Sequence, residues 1–88
     1  MYVIKRTGRK EKFDEKKVHR SAYSACLGAE IDVETAKKFS EDVVKEIKNL
    51  TKGKKEIKSD VIFNNVKKIL ARHSKECAFM YETYRDVS

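Results

Sequence analysis

An apolar residue returns every three or four positions through Ala36, Phe39, Val43, Ile47 and Leu50, with lysine and glutamate filling the steps between. That period matches one side of an α-helix, so the stretch from Asp32 to Lys52-Gly53 is expected to be a long amphipathic helix. Such a stripe needs an apolar partner, which the rest of the chain must supply. With 88 residues the chain is one domain, 1–88, with one modest core. Apolar and charged residues each make up 40%, too apolar for a disordered tail and too charged for a membrane protein. Runs such as Val61-Ile62-Phe63 are far shorter than the ~18 residues that span a bilayer. The start Met1-Tyr2-Val3-Ile4-Lys5 lacks the pattern of a secretory signal, so a cytoplasmic protein is expected.

The other elements follow from local signals. Tyr2-Val3-Ile4-Lys5-Arg6 is β-prone, Thr7-Gly8 supplies a turn, and Arg9-Lys10-Glu11-Lys12-Phe13 returns as a second strand. Asp14 is placed to cap a first helix carrying Val18, Ala22, Ala25 and Ala29 on one face, with Gly28 where that helix stops. Asp32 caps the second helix. Lys55-Glu56-Ile57-Lys58 alternates polar and apolar and reads as a short third strand beside the hairpin. Ser59 or Asp60 is expected to cap helix three, with Ile62, Phe63, Val66, Ile69 and Leu70 inward. Ser74 caps helix four, whose face is Cys77, Met80, Tyr81 and Tyr84. The order β-β-α-α-β-α-α gives an α+β, mostly helical fold.

Enzyme chemistry finds no foothold. His19 and His73 have no partners at triad spacing, and GxSxG, HExxH and paired carboxylates are absent, so no catalytic role is assigned. No GxxxxGK[ST] loop is present either. Cys26 and Cys77 have no second cysteine at zinc-ligand spacing and are read as buried small apolar groups, so no metal site is assigned. Tyr81 and Tyr84, at i and i+3, read as core rather than as a base-stacking pair.

Charge is the remaining signal. The net charge is +7, and residues 1–20 hold eight basic and three acidic side chains against thirteen and eleven in the other 68. A basic segment on a nearly balanced body suggests one local anion site, whereas a solvated Lys/Glu surface of heat-tolerant type would give the same total without a ligand. Lys5, Arg6 and Lys17 can converge on phosphates, with the amides at the start of helix one pointing the same way. Glu11 and Asp14 are acceptors suited to an adenine amino group or a ribose hydroxyl. Mixed cations and acceptors fit a nucleotide better than a bare nucleic-acid backbone, and a simple charged hairpin capped by Asp14 is the plain alternative.

The segment Val3-Ile4-Lys5-Arg6-Thr7-Gly8-Arg9-Lys10-Glu11-Lys12-Phe13-Asp14-Glu15-Lys16-Lys17-Val18 resembles the VxKRxGxxExFdxxKI opening of the ATP-cone. This is the regulatory nucleotide-binding domain of ribonucleotide reductases and of the repressor of their genes. Ile57-Lys58-Ser59-Asp60-Val61-Ile62 resembles its second block, and Cys77-Ala78-Phe79-Met80-Tyr81-Glu82-Thr83-Tyr84-Arg85 resembles the closing A-x-x-Y-x-x-Y-R. The resemblance implies a four-helix bundle covered by a three-stranded β lid, with ATP or dATP, carried with Mg2+, held between them.

The positions that match the family's pocket are Lys5, Arg6, the run Glu11, Lys12, Phe13, Asp14 to Lys17 and Val18, then Ser59, Ile62 and Arg85. Lys5, Lys17 and Arg85 would face phosphates and Glu11 and Asp14 the adenosine. Ser59 would be a small hydrogen-bonding wall, with Val3, Val18 and Ile62 against the base. Thr7, Asp14 and Phe63 depart from the family pattern, Phe63 standing near the phosphates where a polar residue is usual. The implied function is allosteric: the nucleotide alters an oligomeric or partner surface, linked to ribonucleotide reductase regulation. With no reductase or zinc-ribbon segment in the sequence, the chain is expected to act on a reductase or a transcription regulator, to act on a second copy of itself, or to be an excised piece of a longer protein. The alternative is a small basic nucleic-acid-binding protein, and a structural adaptor with a decayed nucleotide site is a third reading.

Overall fold

The computed structural model describes residues 1–83. Its elements run β1 (Tyr2–Ile4), β2 (Lys10–Lys12), α1 (Glu15–Gly28), α2 (Val33–Thr51), β3 (Glu56–Lys58), α3 (Ser59–His73) and α4 (Lys75–Thr83). Helices dominate and a small three-stranded sheet completes an α+β fold, in the order the sequence predicts. Tyr84 and Arg85 lie outside the described residues.

Each helix boundary has a local cause. Asp14 caps α1 by accepting from the Lys16 amide at 2.9 Å, and Asp32 caps α2 by accepting from Thr35 at 3.1 Å. At α4 the Cys77 amide donates to Ser74 Oγ at 3.3 Å. Helix α3 differs from expectation: its cap is Lys58, which makes no side-chain capping bond, and Ser59 is already the first helical residue. The strand β3 passes into the helix without a linking residue, so there is no extended position left for Ser59 or Asp60 to occupy. Helix α1 ends at Gly28, but the left-handed residue is Glu30, at φ 64°. The Ile31 amide reaches the Cys26 carbonyl and Glu30 reaches Leu27, both at 3.0 Å, which is the Schellman arrangement with a glutamate at the position glycine favours.

Helix α1 packs on α2 and α4, and α3 packs on the same two. Between them lie Ala22, Cys26, Ala36, Val43, Ile47, Val66, Leu70 and Cys77, all essentially without exposure. The predicted α2 stripe is displaced slightly: Ala36, Ser40, Val43, Ile47 and Thr51 are buried, with Phe39 and Leu50 at the margin. Ser40 and Thr51 tolerate burial because their hydroxyls donate to the Ala36 and Ile47 carbonyls four residues back, at 2.7 and 3.0 Å. Cys26 and Cys77 are both buried free thiols, as expected. Burial, with Cys77 alongside, pushes the Cys26 thiol up to about 12. Tyr81 is half-buried with its ring centroid 5.1 Å from that of Phe63, which makes it part of the packing rather than a platform for a base.

The sheet has the order β2-β1-β3, with β1 antiparallel to β2 and parallel to β3. Register places Val3 opposite Glu11 on one side and Ile57 on the other, so these three share the face toward the helices. Ile57 is buried in the core there, and Met1, Val3, Phe13 and Val18 pack against it. The strands are shorter than the β-prone runs because the chain turns early. Gly8 donates to the Lys5 carbonyl and Lys5 to the Arg9 carbonyl, both at 2.8 Å, with Gly8 at φ 87°.

Candidate functional site

The two-residue period of a strand sorts the hairpin's side chains onto two faces. Val3 and Glu11 face the helices, and Lys5 continues that side beyond the end of β1. Lys10 and Lys12 belong to the other face and are exposed. Glu11 is the centre of the inner group. Its carboxylate lies 2.7 Å from an Arg9 guanidinium nitrogen and 3.7 Å from Lys5 Nζ. Partial burial pushes the Glu11 carboxyl up. The Lys5 charge, the Arg9 hydrogen bond and the Lys17 and Arg9 charges outweigh it and hold the group below its ordinary value. One carboxylate therefore lies under the influence of three cations, two from the hairpin turn beyond β1 and one from the first turn of α1.

The remaining predicted residues are placed as follows. Asp14 spends one carboxylate oxygen on the Lys16 amide, and its carbonyl accepts from Lys17 at 3.1 Å. The first-turn amides of α1 are thus largely engaged by Asp14, contrary to the expectation that they point at a phosphate. Arg6 turns away from Lys5 and pairs with Asp60 at 3.2 Å, which ties the hairpin to the first turn of α3. Lys12 lies on the face away from Glu11. Phe13 and Val18 are half-buried against the core, and Ile62 is buried within it. Ser59 is half-buried at the start of α3, where the first-turn amides lack a side-chain cap. Arg85 lies outside the described residues. The structure therefore brings Lys5 and Glu11 together, with the Lys17 charge acting on Glu11, and adds Arg9, which the sequence reading left out. Its position two residues before Glu11, on the returning run of the hairpin, was the signal that could have found it.

Two shallow concavities lie elsewhere. One of about 380 Å³ is lined by His19, Glu41, Val44, Lys45, Lys48 and Asn49 between α1 and α2. The other, about 420 Å³, lies between the end of α1 and α4 and includes exposed Phe79. Neither gathers the chemistry of the hairpin. His73 stacks on Phe39 and meets Asp42 at 2.7 Å, and Arg72 pairs with Glu46, so these contacts fasten α3 to α2. Among the described residues no group of three or more His, Cys, Asp or Glu is placed to hold a metal ion. No helix among them is long and apolar enough to cross a membrane.

The profile of the family described as ATP cone domain matches residues 1–87. The transcriptional repressor NrdR of Kosmotoga olearia is 30% identical over 91 residues, covering 99% of this chain and 56% of its own length. NrdR of Geobacillus kaustophilus is 27% identical over 93 residues, covering 100% of this chain and 59% of its own. NrdR of Pelagibacter ubique is 40% identical over 60 residues, 68% of this chain and 38% of its own. The chain spans a little over half the length of the first two relatives.

Proposed function

This chain belongs to the ATP-cone family, and we propose that it binds an adenine nucleotide, ATP or dATP, as an allosteric effector between its sheet and its helices. In this reading the four helices act as a bundle and the sheet as a lid over it. The observation that carries it is the Glu11 cluster. A carboxylate holding Lys5 and Arg9, with Lys17 acting on it, is a set of cations that a triphosphate can take over. Once Lys5 turns to the phosphates, Glu11 is released as an acceptor for the adenosine, and the second oxygen of Asp14 is available beside it.

The base needs an apolar surface, and Val3, Val18 and Ile62 supply it, but these side chains are packed against the core. Nucleotide entry therefore requires the hairpin to lift, and closing it over the base moves the Arg6–Asp60 contact that joins the hairpin to α3. That movement is the switch: the effector shifts the sheet between two positions and changes the surface a partner meets. Ser59, at the uncapped start of α3, closes one wall. Magnesium enters with the triphosphate, held by its oxygens, as is usual for nucleotide sites without a dedicated carboxylate cage.

The relatives are named as transcriptional repressors, which supports a regulatory role, and the resemblance to the ATP-cone supports an output on the genes or enzyme of deoxynucleotide synthesis. A calorimetric and thermal-shift panel of ATP, dATP, ADP and GTP with magnesium tests the reading. Saturable binding of ATP or dATP with rejection of GTP is expected. Flat titrations with every nucleotide would leave the hairpin a structural element with a decayed site.

A further inference from the structure

The fold redistributes the charge in a way the linear sequence conceals. Residues 1–13 and 52–58, which form the sheet, its hairpin turn and the approach to β3, contain nine basic and two acidic side chains. The other 68 residues contain twelve of each. The whole excess of seven positive charges therefore belongs to the sheet layer, and the rest of the sequence is neutral. A solvated Lys/Glu surface would be balanced throughout, so this segregation is not that surface. Nor does the inner cluster absorb it, because Lys5 and Arg9 are the only cations the hairpin turns toward Glu11 among the described residues.

The outer face carries the rest. Tyr2 and Ile4 of the central strand point outward, flanked in register by Lys12 and Lys10 on β2 and by Glu56 and Lys58 on β3. Lys10 is paired with Glu56 at 3.0 Å. Lys12, Lys58 and Lys54 of the adjoining loop are exposed and meet no carboxylate within ion-pair distance among the described residues. We infer that this outer sheet face is a second binding surface, for the sugar–phosphate backbone of a nucleic acid, separate from the nucleotide site on the inner face.

Three features favour that partner over an acidic protein. The cations are lysines, which act as point charges on phosphates and are depleted at protein–protein interfaces. Neighbouring strands stand about 4.8 Å apart and alternate residues about 6.8 Å apart, so the lysine rows match the separation of successive phosphates to within a flexible side chain's reach. The face lacks a large apolar centre, offering only Tyr2 and half-buried Ile4, whereas a protein interface of useful affinity needs a desolvated core. No bidentate arginine faces outward here, so the contact reads charge and not sequence. The two faces share β1, so a nucleotide that lifts or seats the hairpin from within also repositions the outer lysines.

The test is binding of a fluorescent duplex DNA to the 88-residue chain across a salt series, for wild type and the double variant Lys54→Ala/Lys58→Ala. Wild type is expected to bind at low salt, with log affinity falling against log salt at a slope of about −3. The variant should bind roughly tenfold more weakly and lose about two units of slope, with its ATP titration unchanged. Absence of DNA binding at low salt would overturn the inference, and so would binding that the two substitutions leave undiminished. Equal binding of polyglutamate would overturn it too, by making the face a generic polyanion or protein surface. The ATP arm reads the inner site independently, so loss of one function is distinguishable from loss of the other.

Discussion

Glu30 illustrates how much a single backbone angle can matter. It holds the left-handed position of the turn after α1, where a Cβ is strained and glycine is not. Glu30→Gly should raise stability by about 0.5–1 kcal/mol, read from the midpoint of urea unfolding. Asp42 gives a prediction in pH. The hydrogen bond with His73 lowers its carboxyl against a smaller opposing effect of burial, with the His73 charge, Glu46 and Arg72 adding to the lowering. A folded-state value below the unfolded one means a contribution that is present above the unfolded value of 3.8 and is lost as pH falls through the folded one. Asp42→Asn should therefore lower Tm at pH 7 and flatten the acid limb of the Tm–pH profile below about pH 4, where the variant converges on wild type. At this scale the sequence was informative where chemistry is local. Asp14, Asp32 and Ser74 are caps because a short acceptor before an apolar-periodic run has few other uses. Pairs such as Arg6–Asp60 and His73–Asp42 join residues 54 and 31 positions apart, and no spacing rule reveals them.

Among the elements, β3 is the one whose placement decides the most. Three residues of alternating polarity predicted a strand beside the hairpin, but not that it would lie parallel to β1 and put β1 in the centre. That order follows from α2 carrying the chain back to the start of β1, where the Tyr2 amide donates to the Lys55 carbonyl at 2.9 Å. Ile57 is the sheet's buried side chain among the described strands, and it fastens the sheet to the helices. Ile57→Ala should cost about 2–4 kcal/mol in chemical denaturation and loosen the hairpin, seen as faster amide exchange at Val3 and Glu11. The passage of β3 straight into α3 explains why Ser59 is not a cap. A Ser-Asp pair before an apolar run carries a cap's composition wherever the extended segment ends, and only the sheet pairing fixes that end at Lys58.

For the molecule as a whole, the amphipathic stripe of α2 and the order of elements were legible because helical and strand periods differ and each boundary has its own residue type. The site was legible in part. Lys5 pairs with Glu11 and the Lys17 charge acts on the same carboxylate, whereas Arg6 pairs with Asp60 and Lys12 faces the other way because neighbouring residues on an extended chain face opposite ways. The proposed switch belongs to this scale. If nucleotide seating alters a self-complementary surface, light scattering should give a larger mass with saturating dATP than without it, and an unchanged mass would place the output on a different partner. The central claim, that the inner face of the hairpin holds an adenine nucleotide, is tested most directly by isothermal titration of ATP into wild type and Lys5→Ala, with circular dichroism to verify the fold. The account predicts saturable binding to wild type and an affinity lower by roughly tenfold or more in a folded Lys5→Ala protein. Equal affinities in the two proteins would contradict it.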